Sequence, residues 1–148
     1  MALATAIVLV AAGALVETTA SAAPENNRGK NSVVLGSKKY APYGKGFGKA
    51  KPRVVFNGGA ASGLVKRIAW RNWGARRSIG RGRGYQYRPG GGYYSRTVGV
   101  RFRAYDIGHC RGSGKRAYTR LQARFQRKPG GKFGDWFDWS GSGTICSY

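Results

Sequence analysis

The sequence predicts a small all-β domain, a sandwich or barrel of five to seven strands. It is stapled by one disulfide and carries a long loop rich in Gly, Arg and Tyr. Three observations favour this class. Apolar and polar residues alternate over residues 98–107 and 117–127, the chain has two cysteines, and 25 of its 148 residues are glycine. Alternation with a period of two is typical of a strand with one buried face. Few residues outside the glycine-rich patches are available for a core, so a staple is expected.

Residues 1–22 are predicted to be a signal peptide. Residues 3–16 are apolar or small apart from Thr5. As a helix they span roughly 21 Å, less than the ~30 Å hydrocarbon core of a membrane. Ala20 and Ala22 supply the small residues required at −3 and −1, so cleavage is expected after Ala22 and the protein is expected to be secreted. An uncleaved anchor remains the alternative, because no Lys or Arg precedes the apolar stretch.

The remaining chain divides into two predicted parts. Residues 23–50 are polar, basic and rich in Gly and Pro, which predicts a flexible basic arm with at most a short strand at 33–35. Residues 51–148 are predicted to form a single β-rich domain of ordinary size.

The first predicted strands of this domain are short. Residues 53–56 are β-rich and end at the turn sequence Asn57-Gly58-Gly59, and residues 64–70 form a second candidate strand. Residues 78–92 consist almost entirely of Gly, Arg, Tyr and Pro. Such a composition packs poorly, so we expect a long, exposed, basic loop here.

The clearest strand pattern covers residues 98–107. Val98, Val100, Phe102 and Ala104 share one face, and Arg101 and Arg103 share the other with Tyr105. Residues 117–127 alternate in the same way, with Arg120 and Arg124 on the polar face beside Tyr118. A helix is the alternative for this second segment, because Tyr118, Leu121 and Phe125 also fall at helical spacing. As strands, the two segments form a hairpin around residues 109–116.

The two cysteines are expected to pair. Cys110 and Cys146 both follow the predicted cleavage site, and an exported protein with two cysteines most simply joins them. The closed loop of about 37 residues contributes roughly 3–4 kcal/mol on a chain-entropy argument. The tail that carries Cys146 also contains Trp136, Phe137 and Trp139, which are expected to close the core.

One pattern resembles a known group of proteins. Residues 68–74 read IAWRNWG, followed by a glycine-rich segment, Cys110-Arg111-Gly112, Ala117-Tyr118-Thr119 and a terminal Cys146. This W-x-x-W-G, C-x-G, A-Y-T and C pattern resembles small secreted proteins of actinobacteria. The group is uncharacterised, so the resemblance implies secretion and supplies no activity, cofactor or site residue.

The charge predicts the class of partner. The chain has 27 Lys and Arg against 5 Asp and Glu, a net charge of +22, which becomes +23 if Glu17 leaves with the signal peptide. Such a field attracts polyanions: nucleic acid, anionic wall polymers or anionic lipid surfaces. Arginine suits phosphate because its planar fork donates two parallel hydrogen bonds. The candidate polyanion-binding residues are the strand residues Arg101, Arg103, Arg120 and Arg124 and the loop residues Arg81 and Arg83.

Patterns for catalysis or cofactors are weak. His109 is the single histidine, with Asp106 three residues before it, but no nucleophile motif accompanies them. Asp135 and Asp138 flank Trp136, where local counter-charge is a simpler interpretation than a glycosidase pair. We therefore expect no metal, no small-molecule cofactor and no enzymatic activity.

The leading functional hypothesis is a secreted, non-enzymatic cationic protein that binds anionic surfaces or polymers at the cell envelope. The alternatives are an extracellular nucleic-acid-binding protein and an antimicrobial or toxin-like effector that acts on anionic membranes.

Overall fold

The computed structural model describes residues 32–146, which form one curled seven-stranded sheet, a half-barrel. The strands are β1 (Val34–Leu35), β2 (Val55–Phe56), β3 (Leu64–Arg71), β4 (Arg77–Gly84), β5 (Val98–His109), β6 (Arg116–Phe125) and β7 (Phe137–Asp138). The predicted all-β class is confirmed. The predicted signal peptide and cleavage after Ala22 lie outside the described residues. Within 32–146, no helix is long and apolar enough to cross a bilayer.

The spatial order of the strands is β1-β6-β5-β4-β3-β2, and β7 also pairs with β6. The central pairs, β3–β4, β4–β5 and β5–β6, are antiparallel, whereas β1 pairs with β6 in parallel. Curling places one face of the sheet inward around the core. We call the side that points away from the core the outer face.

The predicted hairpin is confirmed. β5 and β6 pair continuously from Val100 opposite Phe125 to His109 opposite Arg116, and the turn lies between them. The helix alternative for residues 117–127 is therefore wrong. The apolar face of β5 is buried as the alternation predicts, with Val98, Val100, Phe102 and Ala104 each no more than 1% exposed.

Tyr118 departs from the pattern that placed it on the polar face. It is fully buried, because β1 pairs along the start of β6 with Leu35 opposite Tyr118, and the Trp73 ring packs edge-on at 5.1 Å. The Tyr118 hydroxyl donates to the Ala75 carbonyl at 2.7 Å and accepts from the Gly74 N–H at 2.8 Å. Burial raises the pKa of Tyr118 above its ordinary value.

The described part of the predicted arm, residues 32–50, belongs to the folded domain rather than lying outside it. Val33, Leu35 and Phe47 are buried in the main core. Each apolar residue is isolated in sequence among Gly, Lys and Pro, and tertiary contact brings them to a common interior. Composition alone suggested an arm because it does not show which side chains converge.

The same segment links both edges of the sheet. Lys45 and Phe56 exchange two backbone hydrogen bonds of 2.9 Å, which extends the sheet beyond β2. The Leu35 N–H donates to the Lys49 carbonyl, and the Gly48 N–H donates to the Leu35 carbonyl. Residues 45–49 therefore run from the edge at β2 to the edge at β1, and they satisfy backbone groups that would otherwise be unpaired.

A second expectation is wrong: residues 78–84 are not a loop. Arg77–Gly84 is strand β4, in the middle of the sheet between β3 and β5. Gly80, Gly82 and Gly84 occupy its inward positions, where side chains of neighbouring strands fill the space that a side chain would need. A Cβ at Gly82 would lie 2.8 Å from Val65 Cγ1 and 2.9 Å from Ile68 Cγ1. The Gly-Arg alternation is therefore a strand pattern with glycine as the core-facing residue.

A bulge in β3 sets which of its side chains face the core. The pairing with β4 shifts between Lys66 and Ala69, and Arg67 has a positive φ of 55°. Because of the extra residue, Val65 and Ile68 both point inward although they are three apart in sequence.

The predicted disulfide between Cys110 and Cys146 is confirmed, with a Cα–Cα distance of 5.1 Å. Cys110 packs with Val34 and Ala117 in a small apolar cluster beside the main core. The bond attaches the tail to the end of β5, and within that tail Ile145 and Trp139 are buried.

We predict that Gly82→Ala destabilises the protein by about 1–3 kcal/mol, because the new methyl group overpacks the space beside Val65 and Ile68. Urea denaturation followed by tryptophan fluorescence measures the change. Gly114→Ala is the matched control, since nothing lies within 4 Å of a Cβ at that position; it should stay within about 1 kcal/mol of wild type. Equal stability of Gly82→Ala and the control would contradict this packing.

We predict that the stability difference between wild type and Tyr118→Phe shrinks above about pH 10. At neutral pH the variant is less stable, because it loses the hydrogen bonds to Ala75 and Gly74. In the unfolded chain Tyr118 ionises near its ordinary pKa, whereas the folded state holds the proton, so its contribution declines as pH rises toward the higher folded pKa. Urea midpoints at pH 8 and pH 11 test this. Tyr43→Phe, which alters an exposed ring, should show an equal difference from wild type at both pH values.

Candidate polyanion-binding face

The predicted arginines lie together on the outer face. Arg81 on β4 is directly opposite Arg101 on β5, which is directly opposite Arg124 on β6. We call these three residues the arginine row. Directly opposed residues in antiparallel strands have Cβ atoms about 4.5–5.5 Å apart, so the row concentrates three positive charges across three strands.

The other three predicted residues flank this row. Arg103 lies on the next outward position of β5, opposite Gln122, and its Nε donates to the Gln122 side-chain oxygen. Arg120 lies further along β6, opposite Tyr105. Arg83 lies on the other side of the row and donates to both the hydroxyl and the carbonyl of Thr97. All six predicted arginines therefore belong to one surface.

Two aromatic rings from the tail cover part of this surface. The guanidinium carbon of Arg101 lies 4.4 Å from the centre of the Phe133 ring, and that of Arg103 lies 4.6 Å from the Trp136 ring. Arg124 contacts both rings, at 5.3 Å and 4.7 Å. Each such contact contributes about 0.5–1 kcal/mol at an exposed site, which offsets the repulsion between opposed like charges.

The prediction that Trp136 helps to close the core is therefore wrong, and Phe137 is also half exposed. Alternation explains both positions. β7 lies beside β6, and the residues from 133 onward cross the outer face before Trp139 turns inward and becomes buried. The sequence places these aromatics in the tail, but only the pairing of β7 with β6 decides which ring lies on which side.

The arginines are almost without counter-charge. The ion pair formed within residues 32–146 joins Arg120 Nε to the Asp106 carboxylate at 3.1 Å, with both side chains about half exposed. An exposed pair of this kind contributes little, about 0–1 kcal/mol. No carboxylate in the described chain pairs with the arginine row, and Arg124 Nε is buried without a hydrogen-bond acceptor.

Two open grooves continue the basic surface, and their residues were not among the predicted set. One, of about 820 Å³, combines Arg127, Lys128 and Lys132 with the rings of Tyr94 and Phe133. Because Phe133 also stacks on Arg101 and Arg124, this groove is contiguous with the arginine row. The second, of about 410 Å³, is lined by Arg76, Arg77, Tyr105 and Asp106. For Arg77 a usable pattern was present: it shares the alternation of Arg81 and Arg83.

The loop after β4 carries a coupled tyrosine pair. The rings of Tyr87 and Tyr93 stack at 4.4 Å, and the Tyr93 hydroxyl donates to the Tyr87 hydroxyl at 2.8 Å. This hydrogen bond lowers the pKa of Tyr93, since Tyr87 can donate to its phenolate, and it raises the pKa of Tyr87, which is then held as the donor. The pair orders the part of the predicted loop that is a true loop, beyond Gly84.

The residues weighed for catalysis are placed as follows. Asp106 pairs with Arg120, and His109 is exposed at the end of β5. Asp135 is exposed, and Asp138 lies in β7 opposite Gln122. Over residues 32–146 no group of three His, Cys, Asp or Glu side chains is close enough to hold a metal ion.

No protein-family model, curated protein or solved structure matches the chain. The resemblance to small actinobacterial secreted proteins therefore stays a prediction, and the geometry of the site is the basis for function.

We predict that Trp136 and Arg103 are energetically coupled by about 0.5–1 kcal/mol, because their contact is a cation–π interaction. A double-mutant cycle with Trp136→Ala and Arg103→Met, followed by urea denaturation, measures this coupling. Arg83→Met is the control partner, since Arg83 is bonded to Thr97 instead. Coupling no larger than in the control cycle would mean that the stacking contributes nothing.

Proposed function

We propose that this protein is a secreted, non-enzymatic cationic protein that binds anionic polymers or surfaces at the cell envelope. The observation that carries the proposal is the arginine row, Arg81, Arg101 and Arg124, aligned across three strands without a carboxylate partner. A sheet surface kept only for solubility would gain stability from acidic residues placed opposite its arginines. Here the like charges lie opposite one another.

The geometry supports binding of phosphate or sulfate groups. Phe133 and Trp136 hold the planes of Arg101, Arg103 and Arg124, so less side-chain freedom is lost when an anion binds. The exposed edges of planar guanidinium groups can donate paired hydrogen bonds to an oxyanion. The net charge of +22 adds long-range attraction that raises the rate of encounter.

An envelope location follows from two predictions and one observation. The predicted signal peptide sends the protein out of the cytoplasm, and the Cys110–Cys146 disulfide is compatible with an oxidising compartment. Outside the cell, anionic wall polymers and lipid headgroups are the first polyanions that the protein meets.

Binding of single-stranded nucleic acid is the second candidate, and the groove beside the arginine row favours it. Tyr94 and Phe133 line that groove together with Arg127, Lys128 and Lys132. Aromatic rings between basic side chains are the chemistry with which proteins hold unpaired bases and their phosphates. A disruptive action on anionic membranes is the third candidate, and dye release from phosphatidylglycerol vesicles separates it from passive binding.

We predict that neutralising the arginine row flattens the salt dependence of polyanion binding. The affinity of the mature protein for poly(glycerol phosphate) and for single-stranded dT oligonucleotides is measured between 50 mM and 400 mM NaCl by fluorescence polarisation. In the triple variant Arg81→Gln, Arg101→Gln and Arg124→Gln, the slope of log K against log salt should fall by about 2, at roughly 0.7 for each phosphate released.

The matched control removes three charges elsewhere. Lys38→Gln, Lys39→Gln and Lys115→Gln alter a different groove, which all three residues line. Equal slopes in the two triple variants would show that total charge, not this face, determines binding. Free passage of wild type through heparin at low salt would overturn the proposal as a whole. Preference for dT over poly(glycerol phosphate) at equal charge would favour the nucleic-acid candidate.

A further inference from the structure

A cleft opens at one end of the curled sheet, apart from the arginine row. Strands β2, β4 and β6 end there and β3 begins there, since these neighbours run antiparallel where they pair, or are separated by one antiparallel strand. The cleft has a volume of about 370 Å³, near the lower end of the range for small-molecule sites. Its lining combines aromatic and polar residues: Phe125, Phe137 and Trp139 with Asn57, Gln86 and Asp135.

The aromatic residues form a set of nearly parallel rings. The planes of Phe125 and Trp139 differ by 1° at a centroid distance of 6.3 Å, and Phe137 lies 6.0–6.5 Å from both with tilts of 26–27°. Phe137 is 48% exposed, so a large apolar ring stays in contact with solvent at the cleft. Exposing that ring is unfavourable unless something stacks on it.

The polar residues retain unused hydrogen-bonding groups. The Asn57 oxygen accepts from the Gly59 N–H at 3.0 Å, which leaves its amide donors available. Gln86 makes no side-chain hydrogen bond and Asp135 no ion pair with the rest of residues 32–146. Trp139 is only 8% exposed, and its indole N–H is buried without a protein acceptor. Buried donors without a partner are rare, so this one marks an unmet requirement beside the cleft.

We propose that this cleft binds a neutral saccharide. One face of a sugar ring is made of C–H groups that pack on an aromatic ring, and its edge carries hydroxyls that both donate and accept. Amide side chains match such hydroxyls because they also donate and accept, and the Asp135 carboxylate accepts. The area and volume suit one or two sugar rings.

Other ligand classes fit less well. A wholly apolar ligand would bury Gln86 and Asn57 without partners, which costs about 1–3 kcal/mol for each group left unpaired. A small anion would meet the Asp135 carboxylate, and the single basic lining residue, Arg127, offsets rather than exceeds that charge. The cleft is thus selective for neutral polar rings, in contrast to the strongly positive outer face.

This proposal does not rest on polyanion binding, and the experiment keeps the two apart. The mature protein is titrated with cellotetraose, chitotetraose and maltotetraose, each up to about 10 mM, which detects millimolar dissociation constants. The titrations are followed by ¹H–¹⁵N NMR, including the Trp139 indole signal. They are made in 1 M NaCl, where the Debye length is about 3 Å and attraction to the arginines is screened.

Two variants test the site, and a third is the control. Phe137→Ala removes the exposed ring and Gln86→Ala removes the free amide; neither side chain is buried, so the fold should persist, as the amide spectrum will show. Tyr105→Ala removes an outward-facing ring at the opposite end of β5. We expect saturable binding of at least one oligosaccharide, weakened roughly tenfold by Phe137→Ala and severalfold by Gln86→Ala, and unchanged by Tyr105→Ala.

The contrary results are distinct. No saturable shift with any of the three oligosaccharides overturns the proposal, as does binding that survives both cleft variants or is weakened equally by Tyr105→Ala. Failure here leaves the salt dependence of polyanion binding untouched, and failure of polyanion binding leaves these titrations unaffected.

Discussion

The close contact between the inner face of β4 and the side chains of its neighbours is the constraint on which the rest of the structure depends. Gly80 and Gly82 leave no room for a Cβ, because Trp70, Ile68 and Val65 already fill the space. A central strand with such an inner face lets the sheet curl around a core built from only about a hundred residues. The same alternation sends the intervening arginines to the outer face, so the packing of the core and the position of the charge have one cause.

The outer face shows how a sheet can hold opposed like charges. Arg101 and Arg124 lie directly across from each other, yet each also stacks on Phe133, and Trp136 extends this contact to Arg103. The aromatic rings come from the tail that the Cys110–Cys146 disulfide attaches to β5. The disulfide thus joins the two surfaces with proposed binding roles: the same tail supplies Phe133 and Trp136 to the outer face and Phe137 and Trp139 to the cleft at the end of the sheet.

Much of the candidate site followed from local pattern, and the failures have identifiable physical reasons. The six arginines were placed on one surface because alternation in β5 and β6 is unambiguous. β4 was taken for a loop because glycine suggests flexibility, whereas here glycine is required by close approach of Trp70 and Ile68. Residues 32–50 were taken for an arm because their few apolar residues are isolated in sequence. Tyr118 was assigned to the polar face because nothing in its own strand shows that β1 and Trp73 cover it.

By itself, the sequence determined the all-β class, the β5–β6 hairpin, the disulfide and the excess of positive charge, because each depends on a periodicity, a count or a pairing with no alternative. Tertiary structure alone decided that β4 lies in the middle of the sheet and that residues 45–49 link its edges. It also decided that Trp136 stacks on arginines while Trp139 is buried, although the two are three residues apart. These outcomes depend on which distant side chains fill the same space, and that information is present only when the strands are assembled.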